Sequence, residues 1–262
     1  MKRTWRFTDV EFIVLWEQLR EDTLPAPFTF LSRTPDYDDY LREKREARAH
    51  LDRTVGHSAD EIFDMVAGPD IRIVLRGIDG RNPGNPGGSI RVLGVRRGER
   101  AYVLEQLAGE TVQHSAGFVI TECEVLALAE TIAAKLPKAD PGKRPYISLP
   151  MPVRPEDEVG DAFNRTVVRG AFDELDTYDG TRFLETVPTA AGWITVRQGF
   201  SRFGPRGRVI RHLEWRDLAD DGRYLITAHR PPAATAADTG RLTAAINTEI
   251  AAVVRAIKDE RA

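Results

Sequence analysis

The hydrophobic pattern opens as a helix. Phe12, Leu15, Trp16 and Leu19 recur at helical spacing behind Thr8-Asp9-Val10-Glu11, where Thr8 can cap an amide three residues on and Glu11 can reach back to close a capping box. Pro25 and Pro27 end this segment, and Phe28-Thr29-Phe30 predicts a short extended stretch. A second helix is expected from Pro35 to Val55, with the proline in a tolerated first-turn position. Arg42, Glu43, Lys44, Arg45, Glu46 and Arg48 make it so polar that only a thin stripe of Tyr37, Leu41, Leu51 and Val55 is available for burial. Ser58-Ala59-Asp60-Glu61 reads as another capping box, opening a short helix that carries Ile62, Phe63 and Val66.

The period then changes to two. Ile71, Ile73 and Leu75 alternate with Arg72 and Arg76, the signature of a half-buried strand. After a Gly/Pro/Asn loop at 79–88, strands are predicted over Ile90–Arg97, Ala101–Leu107 and Thr111–Phe118, joined by short turns at Gly98 and Gly109. Such short loops favour an antiparallel meander.

The order of elements restarts at Thr121-Glu122-Cys123-Glu124, which reads as one more capping box. Laid on the first helix, it matches Thr8 to Thr121, Glu11 to Glu124, Leu15 to Leu128 and Glu17 to Glu130. A Pro-rich stretch at 137–153, a polar helix entered at Pro155, a short helix around Phe183, and strands near Trp193–Phe200, Arg208–Trp215 and Tyr224–His229 follow. In this register the Pro-rich stretch falls inside the repeating unit, so it is not a linker. The chain is therefore expected to be one domain with an internal repeat, 1–112 and 113–231, and a C-terminal helix at 232–262. That helix carries Leu242, Ile246, Ile250, Val253 and Ile257 as a continuous apolar stripe and packs across the sheet or against other helices. The fold class is α+β: two similar helix-and-antiparallel-strand halves in quasi-twofold arrangement, forming a central sheet flanked by helices. The 79–88 loop and the last helix have no counterpart in this register, which makes them the places to look for function.

Composition narrows the function more than the fold. With 262 residues, 42% apolar, 29% charged and a net charge of −3, the chain is an ordinary globular protein with no basic excess for nucleic acid. Cys123 is the only cysteine, so no intrachain disulfide forms, which suits a reducing cytosol. In the repeat register it takes the Val10 position, which predicts burial. The N-terminal apolar run is broken by Asp9, Glu11 and Glu17, so it is not a signal peptide, and no stretch is long and apolar enough to span a membrane. A cytoplasmic location is expected.

Chemistry is mostly missing from the sequence. Gly80 to Gly88 follows a strand as a phosphate-binding loop would, but another strand follows it and no Gly-Lys-Ser/Thr is present, so no helix N-terminus meets an anion. A hairpin loop is the simpler reading. His50, His57, His114, His212 and His229 show no metal-ligand spacing, although the last three lie on predicted strands and could converge. No nucleophile elbow exists, and no pair of carboxylates is marked out for catalysis. Trp193, Phe200, Phe203 and Trp215 lie on or beside strands where core packing is the default. Phe203, beside the turn Gly204-Pro205-Arg206-Gly207, is an interface candidate.

Thr8-Asp9-Val10-Glu11-Phe12-Ile13-Val14-Leu15-Trp16-Glu17 followed by Leu24-Pro25 resembles the start of the EspG family, cytosolic chaperones of actinobacterial type VII secretion. Arg33-Thr34 ahead of the charged helix, Leu136-Pro137, and Gly222-Arg223-Tyr224 before the C-terminal helix extend the resemblance along nearly the whole chain. It implies a quasi-twofold fold, no enzymatic activity, no cofactor and no metal. It also implies a partner: the exposed helical tip of the PPE protein within a PE–PPE heterodimer, held soluble until export. The chaperone itself would be a monomer or weak homodimer. Family contacts come from a loop between two early strands, from the sheet and from the C-terminal helical region. By position that loop is Arg81, Asn82, Pro83, Asn85 and Pro86, to which Phe203 is added as an exposed aromatic. The rival reading is a small-ligand binder or cryptic enzyme using the concave face of the sheet; a permanent structural adaptor is a third.

Overall fold

A computed structural model describes residues 3–19, 23–55, 57–150, 179–227 and 231–261. Its ten strands are β1 (Thr4–Phe7), β2 (Ile71–Asp79), β3 (Ile90–Arg97), β4 (Arg100–Ala108), β5 (Ser115–Cys123), β6 (Tyr146–Ser148), β7 (Ala190–Gln198), β8 (Ile210–Leu218), β9 (Gly222–Thr227) and β10 (Ala233–Ala236). They form one sheet in the order β1-β5-β4-β3-β2-β7-β8-β9-β10-β6, with every neighbouring pair antiparallel.

This order is symmetric about its middle. Turning it over the β2–β7 pair lays β3 on β8, β4 on β9, β5 on β10 and β1 on β6. The axis passes through Leu75 and Ile194, which face each other in the ladder and are equivalent when Ile71–Asp79 is laid on Ala190–Gln198. The quasi-twofold expectation holds, but its register differs from the one read in the sequence.

Strand alternation sends apolar side chains to both faces of the sheet. On one face Ile73, Leu75, Ile194, Val196 and Trp215 pack beneath α4 (Leu128–Ala133) and a C-terminal helix (Thr239–Arg261), which contributes Leu242, Ile246 and Val253. On the other, α1 (Asp9–Glu17) and α3 (His57–Ala67) cover the first half through Phe12, Trp16, Phe63 and Val66, and α2 (Tyr37–Thr54) packs outside them through Leu51. Phe12 stacks on Phe118 at 3.8 Å between ring centroids. In the second half, helical residues 179–185 bring Phe183 against Ile147, Tyr224 and Ala234.

The residues of the recurring motifs are scaffold. At the start of α1, Thr8 Oγ1 accepts from the Glu11 amide at 3.2 Å, and the Glu11 carboxylate accepts from the Thr8 amide at 2.8 Å, closing the predicted capping box. Arg33 ties this helix start to the β4–β5 turn, donating to Asp9, to Glu110 at 2.8 Å and to the Ser115 carbonyl at 2.7 Å. Gly222-Arg223-Tyr224 is a staple. Gly222 has φ +138°, and a Cβ there would lie 2.6 Å from the Asp140 and Pro141 carbonyl oxygens. Arg223, only 3% exposed, donates twice to Asp217 at 2.7 Å and once to the Pro137 carbonyl at 2.8 Å. Tyr224 is fully buried, with its hydroxyl on Asp221.

Several expectations are corrected. Thr121, Glu122 and Cys123 end strand β5 and start no helix; Glu124 then leads into a 3-10 turn without a side-chain cap. Strand pairing overrides the local capping signal because β4 supplies partners as far as Cys123. The expected burial of Cys123 holds. Because α4 follows β5 as the C-terminal helix follows β10, α4 is that helix's counterpart, and the boundary between halves falls after α4 rather than at residue 112. Residues 233–236, expected within the last helix, form β10. β1 carries no expected element, and Phe28–Phe30 is irregular, with the Thr29 backbone bonded to the Gln106 side chain. α2 begins behind an Asp36 cap with Pro35 outside it, and Tyr37 is 71% exposed. α3 begins at His57, ahead of the Ser58 box. The Pro-rich stretch does enter the sheet, through Pro141 beside Arg223 and through β6. The helix expected from Pro155 lies outside the described residues.

Candidate functional site

Two features sit together at one end of the central strand pair. The first is the β2–β3 loop, residues 80–89, which is knit rather than loose. Asp79 Oδ1 accepts from the amides of Arg81 and Asn82 at 2.9 and 3.0 Å, and Oδ2 accepts from Asn85 Nδ2 at 2.9 Å. These bonds, that of Asn85 foremost, hold the Asp79 carboxyl below its ordinary range. Asn85 Oδ1 accepts in turn from the Gly87 amide, fixing a 3-10 turn over Pro86–Gly88. Gly88 is required here, since a Cβ would meet that of Asp79 at 2.5 Å. Arg81, Asn82 and Pro83 are exposed, while Asn85 and Pro86 are half-buried.

The second feature is the sheet surface beside that loop. In the central ladders Ile78 faces Ala191, Arg76 faces Trp193, and Trp193 faces Glu214. Ile194 and Val196 turn to the helix-covered core, so alternation turns Trp193 and Thr195 to the other face. There Trp193 is 44% exposed and Ile78 36%, lining a hollow of about 380 Å³ with Ala191, His212 and Glu214. Arg76 lies over the Trp193 ring at 5.7 Å, and Thr195 Oγ1 is 3.0 Å from His212 Nδ1. Leu184 and Val187, on the chain entering β7, are exposed as well. The result is an apolar strip with polar edges beside a pre-shaped polar loop. It can bind an apolar protein surface.

Phe203 is not brought to this place. It lies in the β7–β8 loop, and because β2 and β7 run antiparallel, that loop leaves the opposite end of the pair. The two loops are equivalents: the 3-10 turn Pro86–Gly88 recurs as Pro205–Gly207. The 79–88 loop therefore has a counterpart after all. The core default for Trp193 and Phe200 is overturned, Phe200 being 74% exposed, whereas Trp215 is fully buried. For Trp193 the signal was present: it shares its strand face with Thr195 and Arg197, not with Ile194.

Among the described residues no group of three His, Cys, Asp or Glu side chains could hold a metal. His50 lies 3.7 Å from Glu11, and His114 bonds Thr111; the His229 position lies outside the described residues. No described helix is long and apolar enough to cross a membrane.

The model of the EspG family matches residues 8–248. Among curated proteins none matches. Among solved structures, the Mycobacterium tuberculosis type VII secretion system chaperone EspG5, in complex with a PE25–PPE41 dimer, matches with a TM-score of 0.50 and 16% identity, over 99% of this chain and 96% of that one. That likeness extends to the fold.

Proposed function

The chain belongs to the EspG family, and on that premise we propose that it is a cytoplasmic chaperone of type VII secretion. It binds the exposed helical tip of a PE–PPE-like heterodimer and keeps the pair soluble until export. It performs no catalysis and uses no cofactor. The contact is the apolar hollow around Trp193 together with the loop carrying Arg81, Asn82, Pro83, Asn85 and Pro86.

The observation that carries this site is the exposure of Trp193 and Ile78 on a sheet whose other described large apolar residues are mostly covered. An apolar patch rimmed by polar groups is the surface that association removes from water. Asp79 pre-shapes the loop, so little ordering entropy is lost on docking. A helical tip with apolar residues fits an open strip; a small metabolite needs more enclosure than Trp193 and its neighbours give.

The test is co-expression with a helical PE–PPE-type pair, followed by affinity capture through the chaperone. We expect a stable three-chain complex. Replacing Arg81–Pro86 by a short Gly/Ser link should leave the fold intact and weaken capture. Failure of every such pair to co-purify while remaining soluble would sink the reading; retention after loop replacement would move the contact away from the loop.

A further inference from the structure

The β7–β8 loop is the pseudo-twofold equivalent of the β2–β3 loop, yet its chemistry is different. Phe200 and Phe203 are 74% and 66% exposed, and Ile210 just beyond is 49% exposed. Arg202, Arg206 and Arg208 are interspersed with them. The loop is fixed in place by the C-terminal helix: Glu260 accepts from Ser201 Oγ at 2.9 Å and from the Arg202 amide at 3.2 Å. Arg202 lies over the Phe203 ring at 4.9 Å.

At the base of the loop is a cavity of about 280 Å³ lined by Trp16, Leu24, Arg72, Arg197 and Arg208 among others, with no carboxylate among the described residues that line it. Arg72 is engaged, donating to the Val66 and Ala67 carbonyls that end α3. Arg197 and Arg208 form no ion pair among the described residues, whereas the adjacent Arg211 has Glu249 at 2.6 Å. Arg208 Nε is buried without a hydrogen-bond partner. Burial, and then the charge of Arg208, hold the Arg197 guanidinium below its ordinary value. Ile210 stands opposite Arg197 in the ladder, so an exposed apolar side chain borders the charged cavity. Two neighbouring guanidiniums, partly desolvated, repel each other, and a carboxylate between them would reverse the sign of that interaction.

We propose that this end of the sheet is a second docking surface, for an acidic protein segment whose carboxylate enters the arginine-lined cavity while its apolar side chains cover Phe200, Phe203 and Ile210. The exposed apolar residues separate this occupant from a free anion or a phosphate backbone, which bring charge without apolar cover. The inference rests on these residues alone and is independent of what binds beside Trp193. The two loops leave opposite ends of the nine paired residues of β2 and β7, about 30 Å apart at roughly 3.3 Å per residue, whereas Trp193 and Arg197 lie four residues apart on one face of β7, about 13 Å.

The probe is a fluorescein-labelled, end-capped peptide in which Glu alternates with Leu and Phe, followed by anisotropy on titration with the full chain. A peptide with Gln in place of Glu is the comparison. Saturable binding is expected, weakened at least tenfold by the Gln peptide and by the Arg197→Gln/Arg208→Gln pair. Phe203→Ser and Arg206→Gln, both at exposed positions, weaken it too without touching the core, and Trp193→Ala leaves it unchanged. Equal binding of both peptides, or indifference to the arginine pair and to Arg206→Gln, overturns the proposal. Tighter binding of duplex DNA or of phosphatidylserine vesicles at the same residues overturns it in favour of phosphates. Self-association abolished by Phe203→Ser overturns it in favour of a second copy of the chain.

Discussion

Trp193→Ala should weaken substrate binding roughly a hundredfold while barely changing stability. A tryptophan side chain offers up to ~250 Å², and Trp193 is 44% exposed, so about 110 Å² remains for a partner to cover. At ~25 cal/mol per Å² that area is worth about 2.7 kcal/mol, close to two decades in Kd. Taking a difference between two variants makes this conversion safer than one for a whole interface, because rigid-body costs cancel. The folded state loses little, since the ring is already half in water and its main partner, Arg76 at 5.7 Å, contributes about 0.5–1 kcal/mol. Calorimetric titration with a PE–PPE-type heterodimer gives the affinity, and urea unfolding gives the stability. A Kd within threefold of the parent, in a variant that unfolds at an unchanged urea midpoint, would refute the placement of the contact in the hollow. A large loss of stability would refute the reasoning at another point, by showing that Trp193 is structural.

The remaining predictions concern the loop, the staple and the separation of the two ends. The Asp79 carboxyl is held below its ordinary range in the folded loop, so its contribution is complete above the unfolded value and is lost as pH falls through the lower, folded one. The Asn85 side-chain amide resonances should therefore hold their positions through mild acid and move toward free values only below the usual carboxylate range; movement already near pH 5 would contradict the bonding. Arg223→Met leaves Asp217 buried without its cation and should cost about 3–5 kcal/mol by urea unfolding. The double change Asp217→Leu/Arg223→Met should recover most of that, and a double variant no better than the single one would show that the arginine acts mainly through the Pro137 carbonyl. Trp193→Ala and Phe203→Ser should act additively on stability and each on its own ligand, because sites this far apart couple by less than about 0.5 kcal/mol; a larger coupling would mean that the sheet transmits between its ends.

Element types were legible wherever one hydrophobic period ran unopposed. β3 is predicted residue for residue, and the Thr8 box closes as expected, because both depend on contacts set by nearby sequence. Errors cluster where pairing with distant chain decides. Thr121-Glu122-Cys123-Glu124 has the composition of a cap, but β4 offers a ladder through Cys123, and a strand paired along its length outweighs one capping interaction. β1 and β10 are four residues long and are strands only because β5 and β9 lie beside them. The site was half legible. The β2–β3 loop announced itself by composition; the bonds from Asp79 that shape it depend on side-chain geometry. Trp193 was missed because aromatic residues in strands were assigned to the core by type, when the alternation of Ile194 and Val196 against Thr195 and Arg197 already assigned its face.

The corrected repeat register changes where function should be sought. With the axis through Leu75 and Ile194, the β2–β3 loop has its equivalent in the β7–β8 loop, and antiparallel pairing of β2 with β7 carries the two to opposite ends of the sheet. A loop cannot then be singled out for being unduplicated; it must be singled out by how it departs from its twin. The two loops keep the same backbone device, a proline-led 3-10 turn at Pro86–Gly88 and Pro205–Gly207. They differ in most of what contacts solvent. One is polar and anchored by a carboxylate of its own strand, beside an exposed tryptophan; the other is aromatic and cationic, anchored by Glu260 of the C-terminal helix. Shared backbone with divergent side chains is what a duplicated scaffold gives when each copy answers to a different surface. The motifs that recur or define the family resemblance, the Thr8 box and Gly222-Arg223-Tyr224, are by contrast buried or bonded within the fold, and they hold the two ends in place without meeting a partner.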